Sequence, residues 1–391
     1  MSSIPSSLKE FRLPWRRDKP VIDEAEQEEE FFRAGQWQLV WWKFRRHKLA
    51  QIAMVVLGIF YFIAIFAEFL APHQPLVRYK DFAASPPSKI RIRDVGDGSL
   101  HWPFIYPTVR ERDPVTFRPF YAEDTSQRYP IKLFARGDEY ELWGLIKSDV
   151  HLFGTEANDV APLFVFGADS IGRDVLSRIF FGGRISLSVG LVSVFLSFFL
   201  GLTLGGISGY YGGVVDDVVQ RIVEVLFALP EIPLYMALAA ALPQDWPQLR
   251  MYFYTTIILA TLTWTQLARV VRGRLLSMRE EDFVMAAKLD GESEWGIIAR
   301  YMLPGFMSYI IVAMTLAIPN MILAETALSF LGIGLKSPTV SWGVMLNEAQ
   351  GIMVVAQLPW VLWPVAFVVV AVLMFNFLGD GLRDAADPYV T

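Results

Sequence analysis

Apolar residues in this sequence gather into runs of about 20, the length that crosses the hydrocarbon core of a bilayer as an α-helix. The runs fall at about 50–70, 185–210, 218–242, 252–271, 306–328 and 359–378. In lipid every backbone N–H and C=O must be satisfied internally, so such runs are held to helix. An ordinary soluble domain is excluded, and the composition agrees: 53% hydrophobic and 19% charged residues, with a mean hydropathy of +0.36, leave too little charge for a water-facing surface. The first run begins too late and is too long for a cleaved secretory signal, so it is expected to be an uncleaved anchor. The expected fold is an all-α polytopic membrane protein with six transmembrane helices. Its parts are a tail with an interfacial helix at 1–49, a first span at 50–72, an insert at 73–181 and a five-helix core at 182–391.

The tail carries an acidic block, Asp23–Glu30, which reads as solvated chain. The stretch 31–48 mixes aromatic and basic residues, as suits a helix lying in the membrane interface. Arg45, Arg46 and Lys48 abut the first span. The loop after the fourth span holds Arg269, Arg272, Arg274, Arg279, Lys288 and Arg300, whereas the segment 329–358 holds only Lys336. By the positive-inside rule both termini and the basic loop are cytoplasmic. The long insert is exempt from that count and is expected outside the cytoplasm.

The insert has no membrane-length apolar run, and alternations such as Ile90–Arg93 and Tyr140–Trp143 predict some strand. His73, His101 and His151 lie in it at spacings that fit no metal motif. No cysteine is present, which removes disulfides and thiolate metal sites. Gly201, Gly205 and Gly209 make an i, i+4 stripe that lets a second helix approach closely. The glycine-rich 205–213 lacks the Lys-Ser/Thr ending of a phosphate-binding loop. Asp217, Arg221 and Glu224 are spaced to meet on one helix face, an expected structural ion network. Pro230 and Pro233 are expected to kink or interrupt the third span. No span carries a histidine or paired acids at matching depth, which argues against intramembrane hydrolysis.

The polar segment 269–304 is helix-prone. Glu280, Glu281 and Asp282 suit a helix N-terminus, and Gly291 suits its end. Between them Phe283, Ala286 and Ala287 form one narrow apolar face, low enough to enter a groove. A second helix is expected from about Glu292 through Trp295, Ile297 and Ile298 towards Pro304. The residues alone allow two readings, a lever worked by a cytoplasmic partner or a plain connector.

Ala286-Ala287, Gly291, Ile297 or Ile298, and Leu303-Pro304 resemble the "EAA loop" of permease subunits of bacterial ABC importers. The branch that the chain resembles is the C-type permeases of dipeptide, oligopeptide and nickel importers. Four further stretches carry that likeness. Gly167-Ala-Asp-Ser-Ile-Gly-Arg-Asp-Val-Leu-Ser-Arg178 is similar to the family signature before the second span, with Gly167, Asp169, Gly172, Arg173, Asp174, Ser177 and Arg178 matching. Gly209–Gly213 with Asp217, Arg221 and Pro230 resembles the next connection. Leu328–Gly334 with Trp342-Gly343 resembles the outer segment, and Asn376–Pro388 the C-terminus. Ala168, Asp290 and Gly305 depart from the usual Thr, apolar residue and Asn. The likeness covers about 40–72 and 163–391, and nothing carries over to the remainder.

The resemblance implies the type I ABC importer permease fold, in the bacterial inner membrane, and a transport subunit rather than an enzyme. The subunit would pair with a B-type permease, and peptides would pass between the two. Two partner ATPases would bind ATP–Mg, and this chain would bind no cofactor. The loop 272–304 would couple to an ATPase through Asp282, Phe283, Ala286, Ala287, Lys288, Asp290, Gly291, Leu303 and Pro304. An extracytoplasmic binding protein would deliver the solute, and the insert is expected to help seat it. Membrane lipid is a further partner, and nucleic acid is not one. Nickel complexes or oligosaccharides are alternative cargoes, and an ATPase-independent transporter is an alternative class. Glu325 and Asn376, polar residues within spans, are candidates for the pathway.

Overall fold

The computed structural model describes residues 36–386, apart from residues 97, 113, 115–118 and 244. The acidic block Asp23–Glu30, the stretch 31–35 and Pro388 lie outside the described residues. α1 (Gln36–Phe44) leads to His47, whose Nδ1 accepts the Ala50 N–H at 3.1 Å. That bond caps α2 (Lys48–Ile65), the first span. A short α3 (Ala67–Leu70) follows.

The insert is built from hairpins. β1 (Arg91–Arg93), β2 (Leu100–Ile105) and β5 (Tyr129–Pro130) form one antiparallel sheet, β3 (Thr108–Arg112) pairs with β4 (Pro119–Glu123), and β6 (Lys132–Leu142) pairs with β7 (Ile146–Gly154). Of the two alternating stretches picked out in the sequence, Arg91–Arg93 is β1 and residues 140–142 end β6, while Ile90 precedes its strand and Trp143 begins the turn.

The remaining helices are α4 (Val175–Tyr211), α5 (Gly213–Ala228), α6 (Glu231–Ala240), α7 (Gln248–Met278), α8 (Asp282–Leu289), α9 (Glu294–Phe330), α10 (Trp342–Glu348), α11 (Ile352–Gln357) and α12 (Pro359–Ala386). Among the described residues α2, α4, α9 and α12 are long and apolar enough to cross a membrane, and α5 with α6 would make a fifth span. The expected fourth span is α7, 31 residues long but not among those four. Its threonines, Thr255, Thr256, Thr261, Thr263 and Thr265, dilute its apolarity.

α5 and α6 meet at 91°. Leu229, between them, is extended (φ −92°, ψ 135°) because the ring of Pro230 disfavours helical geometry in the residue before it. After a short α-helical start at Glu294–Gly296, α9 widens to a π turn at Ile297–Met302 and tightens to a 3₁₀ turn at Leu303–Phe306. Pro304 has no N–H for the Arg300 carbonyl and would clash with it in a regular helix, so the coil adjusts around it.

The glycine stripe sets the core. A Cβ on Gly205 would stand 2.6 Å from the carbonyl O of Ala268, and one on Gly209 would stand 2.8 Å from that of Arg272. α4 therefore lies backbone to backbone on α7, the close approach expected of small residues in membranes. Leu187, Leu259, Val271, Leu275, Ile310, Ile322 and Phe375 fill the shared interior of α4, α7, α9 and α12. α2 is tied to α4 by Arg184, whose Nη1 and Nη2 each lie 2.6 Å from the Glu68 carboxylate and whose Nε donates to the Ala64 carbonyl at 2.7 Å.

Candidate functional site

Chemistry-bearing residues collect at two ends of the helix bundle and on a cavity between them. At the basic end, α8 starts after Glu281 and stops at a Schellman turn: Gly291 (φ +77°) donates to the Lys288 carbonyl and Glu292 to that of Ala287, both at 3.1 Å. Only glycine takes that φ without strain, so Gly291 fixes the stop. Ser293 then caps α9 by accepting the Gly296 N–H at 3.1 Å. The helix–turn–helix read from the sequence is present, and it runs unbroken into the α9 span.

The face of α8 differs from the expected one. Ala287 is buried with Val284 against Leu275, Ile298 and Met302 of its own chain. Phe283, Met285, Ala286, Leu289 and Asp290 are exposed. At about 100° per residue Ala287 lies between Phe283 and Val284 on the helix circumference, and the packing turns it inward with Val284 and leaves Phe283 and Ala286 outside. Ala287 thus belongs to the internal seat of α8 and not to its outward face. Asp282 is exposed in the first turn. Lys288 Nζ stands 5.4 Å from the ring centre of Tyr210, Leu303 packs on the core and Pro304 is exposed.

The expected triad of Asp217, Arg221 and Glu224 is not assembled. Arg221 and Glu224 meet at 3.0 Å on the exposed side of α5, and Asp217 is exposed with no bond to them. The buried acid is its neighbour Asp216, which receives Arg272 of α7 on both oxygens (Nε at 3.0 Å from Oδ1) and the Ser208 hydroxyl. One residue of rotation separates a solvated carboxylate from the one that locks α5 to α4 and α7.

At the insert end the signature 167–178 is a knot. Asp169 accepts Arg173 Nε at 2.6 Å and Arg178 Nη1 at 2.8 Å, and Glu348 of α10 takes the same two arginines at 2.7 Å each. Gly167 (φ +78°) and Gly172 (φ +83°) give the loop its turns. Gly172 accepts the Tyr79 N–H at 2.9 Å, and Trp360 of α12 donates to the Ala168 carbonyl at 2.8 Å. Asp174 caps α4 by accepting the Ser177 N–H at 2.8 Å, and the Ser177 Oγ accepts from His73 at 3.1 Å. Burial pushes the Asp174 carboxyl up to about 7, against the pull of the Ser177 bonds. Burial likewise pushes the His73 imidazole down to about 4. Glu348, Trp360, Tyr79 and His73 were not singled out for this site by the sequence, because their partners lie up to 192 residues away.

Glu325 is fully buried on the seam of α9 and α4. Its Oε1 accepts Ser329 at 2.9 Å and its Oε2 accepts Ser186 at 3.1 Å. Trp342 closes the seam, donating its Nε1–H to the Ile179 carbonyl at 3.0 Å. Asn376 is half-buried on α12. Neither Glu325 nor Asn376 belongs to the wall of a cavity of about 1100 Å³ between α1, α4, α7, α9 and α12. That wall is apolar with Ser197, Thr263, Gln266 and Asn320 along it, and Arg274 and Arg383 at its basic end. A mostly apolar wall with a few spaced hydrogen-bonding groups suits an organic solute held loosely.

Residues 201–391 match the family described as binding-protein-dependent transport system inner membrane component, and residues 35–87 match the N-terminal TM domain of oligopeptide transport permease C. The dipeptide transport system permease protein DppC of Bacillus subtilis is 41% identical over 226 residues, 57% of this chain and 68% of that protein. A putative peptide permease of Brucella ovis is 41% identical over 253 residues, 64% of this chain and 81% of that one. The glutathione transport system permease protein GsiD of Pectobacterium atrosepticum is 41% identical over 223 residues, 57% and 71% of the two chains. The chain belongs to the family of binding-protein-dependent transport inner-membrane components, as a C-type permease of its dipeptide and oligopeptide branch with the type I ABC importer permease fold.

Proposed function

We propose that this chain is one of two permease subunits of an ATP-driven importer and forms half of the path by which peptides enter the cell. The observation that carries the reading is α8. It is a two-turn helix whose inner side is fixed to the bundle by Val284 and Ala287. Its outer side offers Phe283, Ala286 and Leu289 uncovered, and its end continues through a glycine turn into α9. A push on the outer side would travel along α9, because the helix and the span share one backbone and one core.

In this reading the outer side of α8 docks in a groove on one of two ATPase subunits, which hold ATP–Mg. Closure of the ATPase pair tilts α7 and α9 and switches the cavity between the two sides of the membrane. A B-type permease supplies the other half of the path, and a binding protein delivers the solute outside. Both termini and the α8 end face the cytoplasm. Dipeptides, oligopeptides and glutathione, named for the relatives, share a peptide backbone, and that is the proposed cargo.

The test is reconstitution. The chain, co-expressed with a B-type permease and ATPase subunits of such an importer, should co-purify with the ATPases and drive uptake of labelled dipeptides or tripeptides into vesicles only with ATP and the binding protein. Uptake without any ATPase would overturn the reading.

A further inference from the structure

The hairpin of β6 and β7 has an unusual tip. Trp143 (φ +54°), Gly144 (φ +70°) and Leu145 form its turn. Positive φ in a turn favours Gly, Asn or Asp, and a bulky aromatic there is an outlier. Phe134, near the start of β6, is a second aromatic outlier at φ +57°. Both rings are exposed, as are Leu133 and Ile146, and Leu145 is 82% exposed. Side chains that violate local turn chemistry and are left in the open point to an outside partner.

The position of the tip says which partner. Trp143 donates its Nε1–H to the carbonyl of Ile65, the last residue of α2, at 2.9 Å. α2 has 18 residues, a rise of about 27 Å, close to the roughly 30 Å of a hydrocarbon core. Lys48 marks one boundary, so Ile65 and the tip stand at the other. The exposed stripe Ile52, Val55, Ile59 and Phe62 along α2 continues into this surface. Phe66 lies 4.8 Å from Phe62 and 5.4 Å from Trp143, ring centre to ring centre, and Phe69 lies 6.2 Å from Phe134. Tryptophan with its N–H satisfied, flanked by phenylalanines at the end of a span, is the composition of an interfacial belt. Arg136 and Lys147 on the same hairpin are exposed, each opposite an acid (Asp149 at 3.9 Å, Glu141 at 3.5 Å), and their long stems can reach headgroup phosphates.

We propose that the tip of the β6–β7 hairpin inserts into the headgroup–acyl boundary of the phospholipid leaflet at the Ile65 end of α2. The hairpin thereby anchors the insert to the membrane surface beside the first span. The proposal does not depend on the transport reading, only on α2 crossing the bilayer.

The chain has no cysteine, so Leu145→Cys and Ile146→Cys each create one site for a thiol-reactive fluorophore. Leu100→Cys, exposed on β2 of another sheet, is the aqueous control. Each labelled chain is reconstituted with its co-expressed partner subunits in phosphatidylethanolamine–phosphatidylglycerol vesicles containing lipid brominated high on the acyl chain. Labels at 145 and 146 should be quenched by the brominated lipid at least twofold more than the label at 100, and should resist aqueous iodide. Iodide quenching at 145 and 146 as free as at 100 overturns the proposal. Protection from both quenchers also overturns it, since a protein partner would then cover the tip. If one variant does not assemble, the other gives the reading.

Discussion

A Cβ on Gly172 would stand 2.2 Å from the carbonyl O of Tyr79, in a backbone conformation at φ +83° that other residues resist. The neighbour is backbone and cannot swing away, so Gly172→Ala must break the contact between the knot and the insert. We expect a loss of about 1–3 kcal/mol or more, read as a lowered thermal midpoint of the purified chain; an unchanged midpoint would show that the loop yields easily. Asp174 makes a second residue-scale prediction. Its folded carboxyl, near 7, keeps a proton that an unfolded one, near 3.8, has released. The stability it contributes is therefore full below about 3.8 and lost as pH rises through 7. Asn also caps helices well, so Asp174→Asn should keep α4 capped and remove this slope. Thermal midpoints at pH 5, 6.5 and 8 should fall more steeply for the wild type than for the variant. Parallel curves would contradict the burial argument.

Among the elements, α8 shows both what a sequence makes legible and what it hides. Its start, its length and its glycine stop follow from Glu281, Asp282 and Gly291, which act through local geometry. Which alanine faces out does not, because a short helix with apolar residues at 283, 284, 286 and 287 has two candidate faces. Only the neighbouring Met302 and Ile298 decide that Val284 and Ala287 turn inward. The same limit separates Asp216 from Asp217, adjacent acids told apart by Ser208 and by Arg272, 56 residues on. By contrast, the glycine stripe of α4 and the break at Pro230 were readable, since the missing side chain and the proline ring are properties of the residue itself. The corrected face changes the variants to make. Ala286→Glu should leave the chain folded and abolish ATP-driven uptake, because its carboxylate meets only the docking partner. Ala287→Glu would bury an unpaired charge, at a cost of several kcal/mol, and should not yield a stable chain. Comparing elution profile, thermal midpoint and uptake for the two separates docking from folding; normal uptake with Ala286→Glu would remove α8 from the coupling role.

For the whole molecule, the 37-residue α4 joins the two ends. One end is held by the signature knot with Glu348 and Trp360, and the other by the glycine contact with α7 and the Tyr211–Glu294 hydrogen bond. These long-range ties explain why the signature was visible as a pattern while its job was not: the loop works on partners in α10, α12 and the insert, and each lies far away in sequence. A bundle tied at both ends moves as a body, and the cavity walled by α4, α7, α9 and α12 would tilt with it rather than collapse. That makes Gln266 and Asn320, on facing helices, the groups to meet a passing peptide backbone. Replacing either by Leu keeps the volume and removes the hydrogen bonds, each worth about 0.5–1.5 kcal/mol, so uptake should fall by roughly 2- to 10-fold per position. ATP hydrolysis by the assembled complex and its thermal midpoint should stay as in the wild type, because neither side chain holds the bundle together. Measuring initial uptake rates beside ATPase rates in the same vesicles distinguishes a lost cargo contact from lost coupling. If Gln266→Leu and Asn320→Leu transport at the wild-type rate, the cavity is not the route.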